Sequence, residues 1–326
     1  MMVGLACACL GPVPWEEGGP ARSRIPDPAA SARTRVLMWA SPFGPGLRLQ
    51  TEHYLIYTTV LDPRLLAQVP DLMESAHCAY NAQLSDPIRP RTHSGVYLFA
   101  DRSQWEAFTR AITGPHAALF LRIQEGAYCF NGSCVAYDIG LQRTLAALAH
   151  EGWHQFVNRH FAFRLPSWLD EGMAMMFEAF VREDGRIRFE PAVNAYRIEP
   201  LSRTMVRGDL IPLDPLLTTS PGEVMATDPS ERVQTLYGQA YALIRFLREA
   251  DGGRHRDGFR RLLNDGLKGR WPLDPHALTV ATDRNVPKTV RWNRVVGRQL
   301  FEYYVTDDLD GIERQYLAFC AQLVRR

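Results

Sequence analysis

"TLAALAHEGWHQFVNRH", residues 144–160, is the stretch whose reading decides the fold. His150, Glu151 and His154 spell H-E-x-x-H. On a helix, residues four apart lie about 40° apart around the axis and about 6 Å apart along it, so the two imidazoles share a face and can hold one ion. Zinc accepts neutral imidazole nitrogens, and in catalytic sites it takes three protein ligands plus a water whose pKa falls to about 7. Glu151, next to the first histidine, is placed to take the proton of that water. The preceding TLAALA is apolar, so the histidines continue a buried helix. Buried unpaired imidazoles are costly, which favours metal ligation over the plainer alternative of histidines capping a polar helix face.

Two residues downstream compete for the third ligand. His160 stands where the metzincin branch of zinc proteases, H-E-x-x-H-x-x-G-x-x-H, puts its third histidine. On an unbroken helix it would lie about 9 Å beyond His154 and about 120° around the axis. It can reach the metal only if the chain leaves the helix in between, which a glycine permits by adopting a left-handed backbone. Val157 occupies that position and is β-branched, so it resists such an exit. His160 therefore reads as a helix C-terminal residue facing a favourable dipole.

The competitor lies in "LPSWLDEGMAMMFEAF", residues 165–180. Ser167, with Asp170 three residues later and Pro166 before it, looks like a capping box opening a helix from about Trp168 to Val181. Glu171 then falls in the first turn of that helix, and Gly172 would permit close packing against the histidine helix. Asp170 is a candidate to orient a ligand histidine or a simple helix N-terminal acid, and Glu178 reads as solvated or paired.

"HEGWH" followed by "WLDEGMA" resembles the gluzincin branch of zinc metallopeptidases. The resemblance implies His150, His154 and Glu171 as metal ligands and Glu151 as general base. Residues 155–170 separate His154 from Glu171, a slightly shorter gap than in the aminopeptidases of that branch. "LYGQAYALIRFL", residues 236–247, is similar to the gluzincin Y-x-K-G-x-x-L-L helix start. That similarity puts Tyr237 on the tyrosine that donates to the oxyanion, with Tyr241 one turn on as the fallback. The aminopeptidases also carry G-x-M-E-N on an edge strand before the zinc helix, its glutamate binding the free amine. "GAYCFNG" at 126–132 lies in a similar place without it. More broadly the chain is similar, over about 45–322, to the peptidase-MA-like bacterial domains of unknown function.

Outward from these motifs, "LRLQTEHYLIYTTV" (47–60) alternates like a β segment. Asp62-Pro63 starts a helix with Leu65, Leu66, Val69, Leu72, Met73, Ala76 and Tyr80 on one face. "SGVYLFA" (94–100) is a buried strand, followed by a helix capped at Asp101 or Ser103. Residues 126–140 form a hairpin or a pair of strands. Its Asn131-Gly132 would be a type I′ turn, with Cys129 and Cys134 facing each other as a disulfide or as two reduced thiols. Beyond the second motif, "DGRIRFEP" suggests a short strand pair, 201–218 a turn-rich connection and 267–288 a long loop. The remainder reads as helices.

At 326 residues with 46% apolar content, the chain can build a substantial core. Its net charge of +1 gives no reason to expect nucleic acid or an anionic membrane as partner. No apolar run approaches the roughly 18 residues of a membrane span. The six cysteines, Cys7, Cys9, Cys78, Cys129, Cys134 and Cys320, are too sparse for a disulfide scaffold. The N-terminal "MMVGLACACLGPVP" is apolar without the basic start of a signal peptide, so localisation stays open.

The expectation is an α+β, zincin-like fold: a mixed N-terminal sheet with an edge strand before the H-E-x-x-H helix, then a mainly helical lobe. Residues 1–35 would be a disordered leader or an uncertain N-terminal segment. Residues 36–326 would be the catalytic domain, with a sheet lobe at 36–165 and a helical lobe at 166–326. The expected activity is hydrolysis of a peptide or protein substrate with Zn2+ held by His150, His154 and Glu171, and with Glu151 and Tyr237 as catalytic residues. The alternatives are a zinc hydrolase with a non-peptide substrate and a non-catalytic scaffold that retains the site.

Overall fold

The computed structural model of the chain describes residues 34–325, apart from 90–91, 124–125, 184–185, 228–230 and 284–289. The expected leader as far as residue 33, with Cys7 and Cys9, lies outside the described residues. The architecture is α+β, a mixed sheet in the N-terminal part followed by a mainly helical C-terminal part.

The first strands are β1 (Arg35–Ser41), β2 (Gly44–Gln50) and β3 (Tyr54–Thr58), antiparallel in succession. The segment expected as one β stretch at 47–60 is thus two strands. The bend between them is held by Glu74, which accepts from the Thr51 hydroxyl at 2.5 Å and the His53 N–H at 2.8 Å. β1 was not legible because it lacks a buried face: its Val36 and Met38 are 56% and 77% exposed. Helix α1 (Pro63–Asn81) starts where Asp62 accepts from the Arg64 N–H at 2.8 Å. It buries Leu65, Val69, Leu72, Met73, Ala76 and Tyr80 as its spacing requires.

After β4 (Ser94–Phe99) come α2 (Arg102–Thr113), capped by Asp101, and the short α3 (Ala117–Phe120). The hairpin of β5 (Ala127–Phe130) and β6 (Ser133–Tyr137) follows. The sheet order is β1-β2-β3-β4-β6-β5, with β4 parallel to both β3 and β6 and with β5 antiparallel at the edge. Asn131 and Gly132 have φ of 50° and 69°, the left-handed pair a type I′ turn needs. The turn sets Phe130 opposite Ser133 and Cys129 opposite Cys134; both cysteines are buried and reduced, with no disulfide between them.

Helix α4 (Leu141–His160) runs unbroken through Val157 and lies with α1 against the sheet face of Ile56, Val96, Leu98, Cys134 and Ala136. Gln155 pins it there, its amide donating to the carbonyls of Gly95 at 2.7 Å and Gly132 at 2.8 Å. The opposite face, with Phe99, Val135 and Tyr137, packs under Trp105 and Phe120.

The second half holds α5 (Ser167–Met175), the pair β7 (Phe180–Glu183) and β8 (Arg186–Phe189), α6 (Ala195–Arg207), α7 (Leu213–Thr218), α8 (Pro221–Thr227) and α9 (Glu231–Glu249). Then come α10 (Arg256–Lys268), α11 (Pro275–Thr282), α12 (Val290–Tyr304) and α13 (Leu309–Leu323).

Three readings need correction. The connection at 201–218 is mostly helical, in α6 and α7; Pro215 sits in the first turn of α7, where a proline costs no hydrogen bond. The loop at 267–288 contains α11, whose cap Asp274 accepts from the N–H groups of His276 and Ala277. Residues 284–288 of that loop lie outside the described residues. Helix α5 stops at Met175 rather than near Val181, because the residues after it are claimed by tertiary partners. Phe177 packs between Tyr80 and Trp153, at ring separations of 4.7 and 5.7 Å, and Glu178 turns inward. Among the described residues no helix is long and apolar enough to cross a membrane.

Candidate metal centre

Helix α4 presents His150 and His154 on one face, and α5 crosses it so that Glu171 meets them. The three ligand atoms converge. His150 Nε2 and His154 Nε2 are 3.2 Å apart. Glu171 Oε2 lies 3.5 Å from the first and 3.6 Å from the second. A tetrahedral ion with bonds of about 2.0–2.1 Å separates its ligands by about 3.3 Å, so the triangle fits a zinc-sized centre. These three residues could hold a metal ion.

The other face of each imidazole is fixed by a carboxylate. His154 Nδ1 donates to Asp170 Oδ1 at 3.1 Å, and His150 Nδ1 donates to Glu178 Oε1 at 2.8 Å. A proton held on Nδ1 leaves Nε2 with its lone pair toward the centre, the arrangement that orients metal-binding histidines. Asp170 is 2% exposed and belongs to this role, not to a capping box. The N-cap of α5 is Pro166, and the Ser167 hydroxyl is instead an acceptor for Asn293 on α12, at 2.9 Å. Glu178 is buried and held in turn by Asn194, at 2.9 Å, and by both arms of Arg197, Nε at 2.7 Å.

The charges reinforce one another. Burial opposes the His150 imidazolium, but hydrogen bonds to Glu171 and Glu178 outweigh it and lift its pKa to about 9. His154 moves up as well, since Asp170 and Glu171 outweigh its burial. Burial works against the Glu178 carboxylate, yet Arg197 and His150 draw its pKa down to about 2. Glu171 falls well below the usual carboxylate range despite burial, because both histidines face it. The group is a dense set of anionic acceptors around two imidazoles, the donor set of a dication site.

Glu151 follows His150 on the same turn of α4, and its charge is felt at Tyr237. Tyr237 sits near the start of α9, its ring 5.3 Å from the Arg197 guanidinium. Burial, and then the charge of Glu171, raise the pKa of its hydroxyl, so it stays a proton donor. The fallback, Tyr241, is excluded from the site. It is fully buried, its hydroxyl donates to the Pro191 carbonyl, and it accepts from Arg245 at 3.2 Å.

His160 is outside the converging group. Its ring packs on Phe156, 4.9 Å between centroids, and burial beside Arg159 pushes its pKa down to about 4.

Gly172 does permit a close approach, but to α9 rather than α4. A Cβ there would meet Ile244 Cγ1 at 2.5 Å and the Ala240 carbonyl oxygen at 2.7 Å. Gly238 plays the same part between α9 and α6, where a Cβ would lie 3.1 Å from the Arg197 carbonyl oxygen. These contacts bring Glu171, Tyr237 and Arg197 together. The sequence reading missed Arg197 and Asn194, which stand in a segment with no motif. The signal that points to them is the buried Glu178 carboxylate, which needs a cation and a donor, and Arg197 and Asn194 are the ones beside it.

A family of proteins of unknown function, DUF1570, matches residues 144–274. That span contains His150, Glu151, His154, Glu171 and Tyr237, together with Glu178 and Arg197. No curated protein and no solved structure matches the chain.

Proposed function

We propose that this chain is a zinc-dependent metallopeptidase of gluzincin type. The observation that carries the reading is the convergence of His150 Nε2, His154 Nε2 and Glu171 Oε2, 3.2–3.6 Å apart, with each ring oriented by its own carboxylate. A zinc ion bound there would supply Lewis acidity and a water acidic enough to lose its proton near neutral pH. Glu151 is the base, one residue from a ligand, and can pass the proton on to the leaving amine. Tyr237 donates its hydroxyl proton to the oxyanion that forms as the carbonyl is attacked.

The sheet supports the same reading: β5 lies antiparallel at its edge, and β6 leads directly into the H-E-x-x-H helix, as a zincin-like fold would require. An edge strand can align an extended substrate by main-chain hydrogen bonds. β5, AYCF, carries no acidic side chain to bind a free amine, which favours cleavage within a chain over removal of N-terminal residues.

The test is hydrolysis of casein and of a mixed peptide library by zinc-loaded protein. Glu151→Gln is expected to retain about one zinc per chain and to lose hydrolysis by at least about a hundredfold. If zinc-loaded wild type cuts no member of the library, the peptidase reading fails and a zinc hydrolase with another substrate, or a scaffold, takes its place.

A further inference from the structure

Arg197 is a half-buried cation on α6 that contacts both Glu178 and the Tyr237 ring. The edge of its guanidinium grips both oxygens of Glu178, Nε to Oε2 at 2.7 Å and Nη2 to Oε1. Glu178 Oε1 is the same atom that accepts from His150 Nδ1 at 2.8 Å. The guanidinium carbon lies over the Tyr237 ring, 5.3 Å from its centroid. A planar fork can do both at once, edge-on to a carboxylate and face-on to an aromatic ring; an ammonium cannot.

We propose that Arg197 is a positioning residue for the metal centre: it clamps Glu178 in the one orientation that holds His150 with Nε2 toward the ion, and it seats the Tyr237 ring beside the same centre. Asn194 assists, donating to Glu178 Oε2 at 2.9 Å and to the Met175 carbonyl at 3.0 Å. Without Arg197, Glu178 would be a buried carboxylate held only by Asn194 and His150, with no cation to keep it ionised, and the orientation of His150 would be less firmly fixed.

The inference rests on the metal reading of this site but not on peptide hydrolysis, and the measurement is chosen accordingly. Zinc affinity is determined by competition with a chromophoric chelator for the full-length wild type, Arg197→Gln, Arg197→Lys, Glu178→Gln and the double variant Arg197→Gln/Glu178→Gln, with thermal melts by circular dichroism alongside. Arg197→Gln and Glu178→Gln are each expected to weaken zinc by about 10–100-fold. The double variant is expected to be no weaker than the weaker single one, because Arg197 acts through Glu178. Arg197→Lys keeps the charge and the fold but not the fork, and is expected to weaken zinc as well.

Wild-type affinity in Arg197→Gln or in Arg197→Lys overturns the proposal, and so does a double variant whose loss equals the product of the singles. If Arg197→Gln is unfolded at the assay temperature, Arg197→Lys decides alone. If wild type binds no zinc, the metal reading itself has failed. If zinc binds and no peptide is cut, only the peptidase reading has. Where hydrolysis is measurable, Arg197→Lys is expected to lower kcat in wild type and to have no further effect in Tyr237→Phe beyond that of its zinc occupancy.

Discussion

At the scale of the residue, the site separates histidines that share a helix by what each nitrogen faces. His150 and His154 turn one nitrogen to a carboxylate and the other to a common centre, whereas His160 turns its ring to Phe156. His154→Ala is therefore expected to abolish stoichiometric zinc and His160→Ala to leave it intact, by metal analysis after dialysis; the reverse pattern would transfer the third ligand to His160. The charge state of His150 adds a pH dependence. With the pKa of His150 lifted to about 9 and that of His154 raised as well, zinc must displace a proton from each imidazole at neutral pH, so apparent affinity is expected to rise with pH through neutrality, by up to about a hundredfold per unit while both are protonated. Calorimetry in buffers of different ionisation enthalpy would show the released protons, and a pH-independent affinity would contradict the assignment. By the same linkage, the zinc-free fold keeps the His150 contribution in full below its unfolded value of 6.5 and loses it as pH rises through about 9. The two histidines and Glu151 were legible because H-E-x-x-H is set by helical geometry alone. Glu178 was legible only as a carboxylate that would be solvated or paired, since its partners come from 28 residues earlier and 19 residues later in the chain.

At the scale of the element, the site is a crossing of helices whose spacing depends on missing side chains. Gly172 lets α5 settle against the backbone of α9, and the atom it would strike, the Ala240 carbonyl oxygen, cannot swing aside. Alanine at a helix interior position is worth up to about 1 kcal/mol over glycine. Overpacking against a fixed neighbour costs about 1–3 kcal/mol, so Gly172→Ala is expected to be net destabilising by urea denaturation. Stability equal to or above wild type would show that α5 and α9 do not pack as closely as their geometry implies. The glycine beside Glu171 announces a close approach, but the chain alone does not name the partner: α4 is nearer in sequence, and α9 is the helix it meets. The end of α5 at Met175 has the same origin. Residues 176–178 continue a helical pattern, and it is the pull of Trp153, His150 and Arg197 from three directions that ends the helix.

At the scale of the molecule, the candidate metal centre joins the sheet part to the helical part. His150 and His154 come from the helix against the sheet, while Glu171, Tyr237 and Arg197 come from helices of the second half. An ion bound to the folded state alone stabilises by RT ln(1 + [L]/Kd), about 2.7 kcal/mol at a hundredfold excess over Kd. Zinc is thus expected to raise the thermal midpoint of the whole chain by several degrees in a single transition, and a chelator to reverse it. His154→Ala should show no such rise; a zinc response that persists in that variant would place the ion elsewhere.

What the sequence by itself determined is local. It includes the two histidines that share one helical face with Glu151 beside them, the caps at Asp62 and Asp101, and the left-handed Asn131-Gly132 turn that sets the register of β5 on β6. Each depends on dihedrals and spacings within a few residues. What only the tertiary structure decided is convergence: that Glu171 reaches the two histidines, that Asp170 and Glu178 each face one of them, and that Arg197 lies against Glu178. Those choices depend on distances between segments far apart in the chain, and helical periodicity carries no information about such distances until the helices are packed.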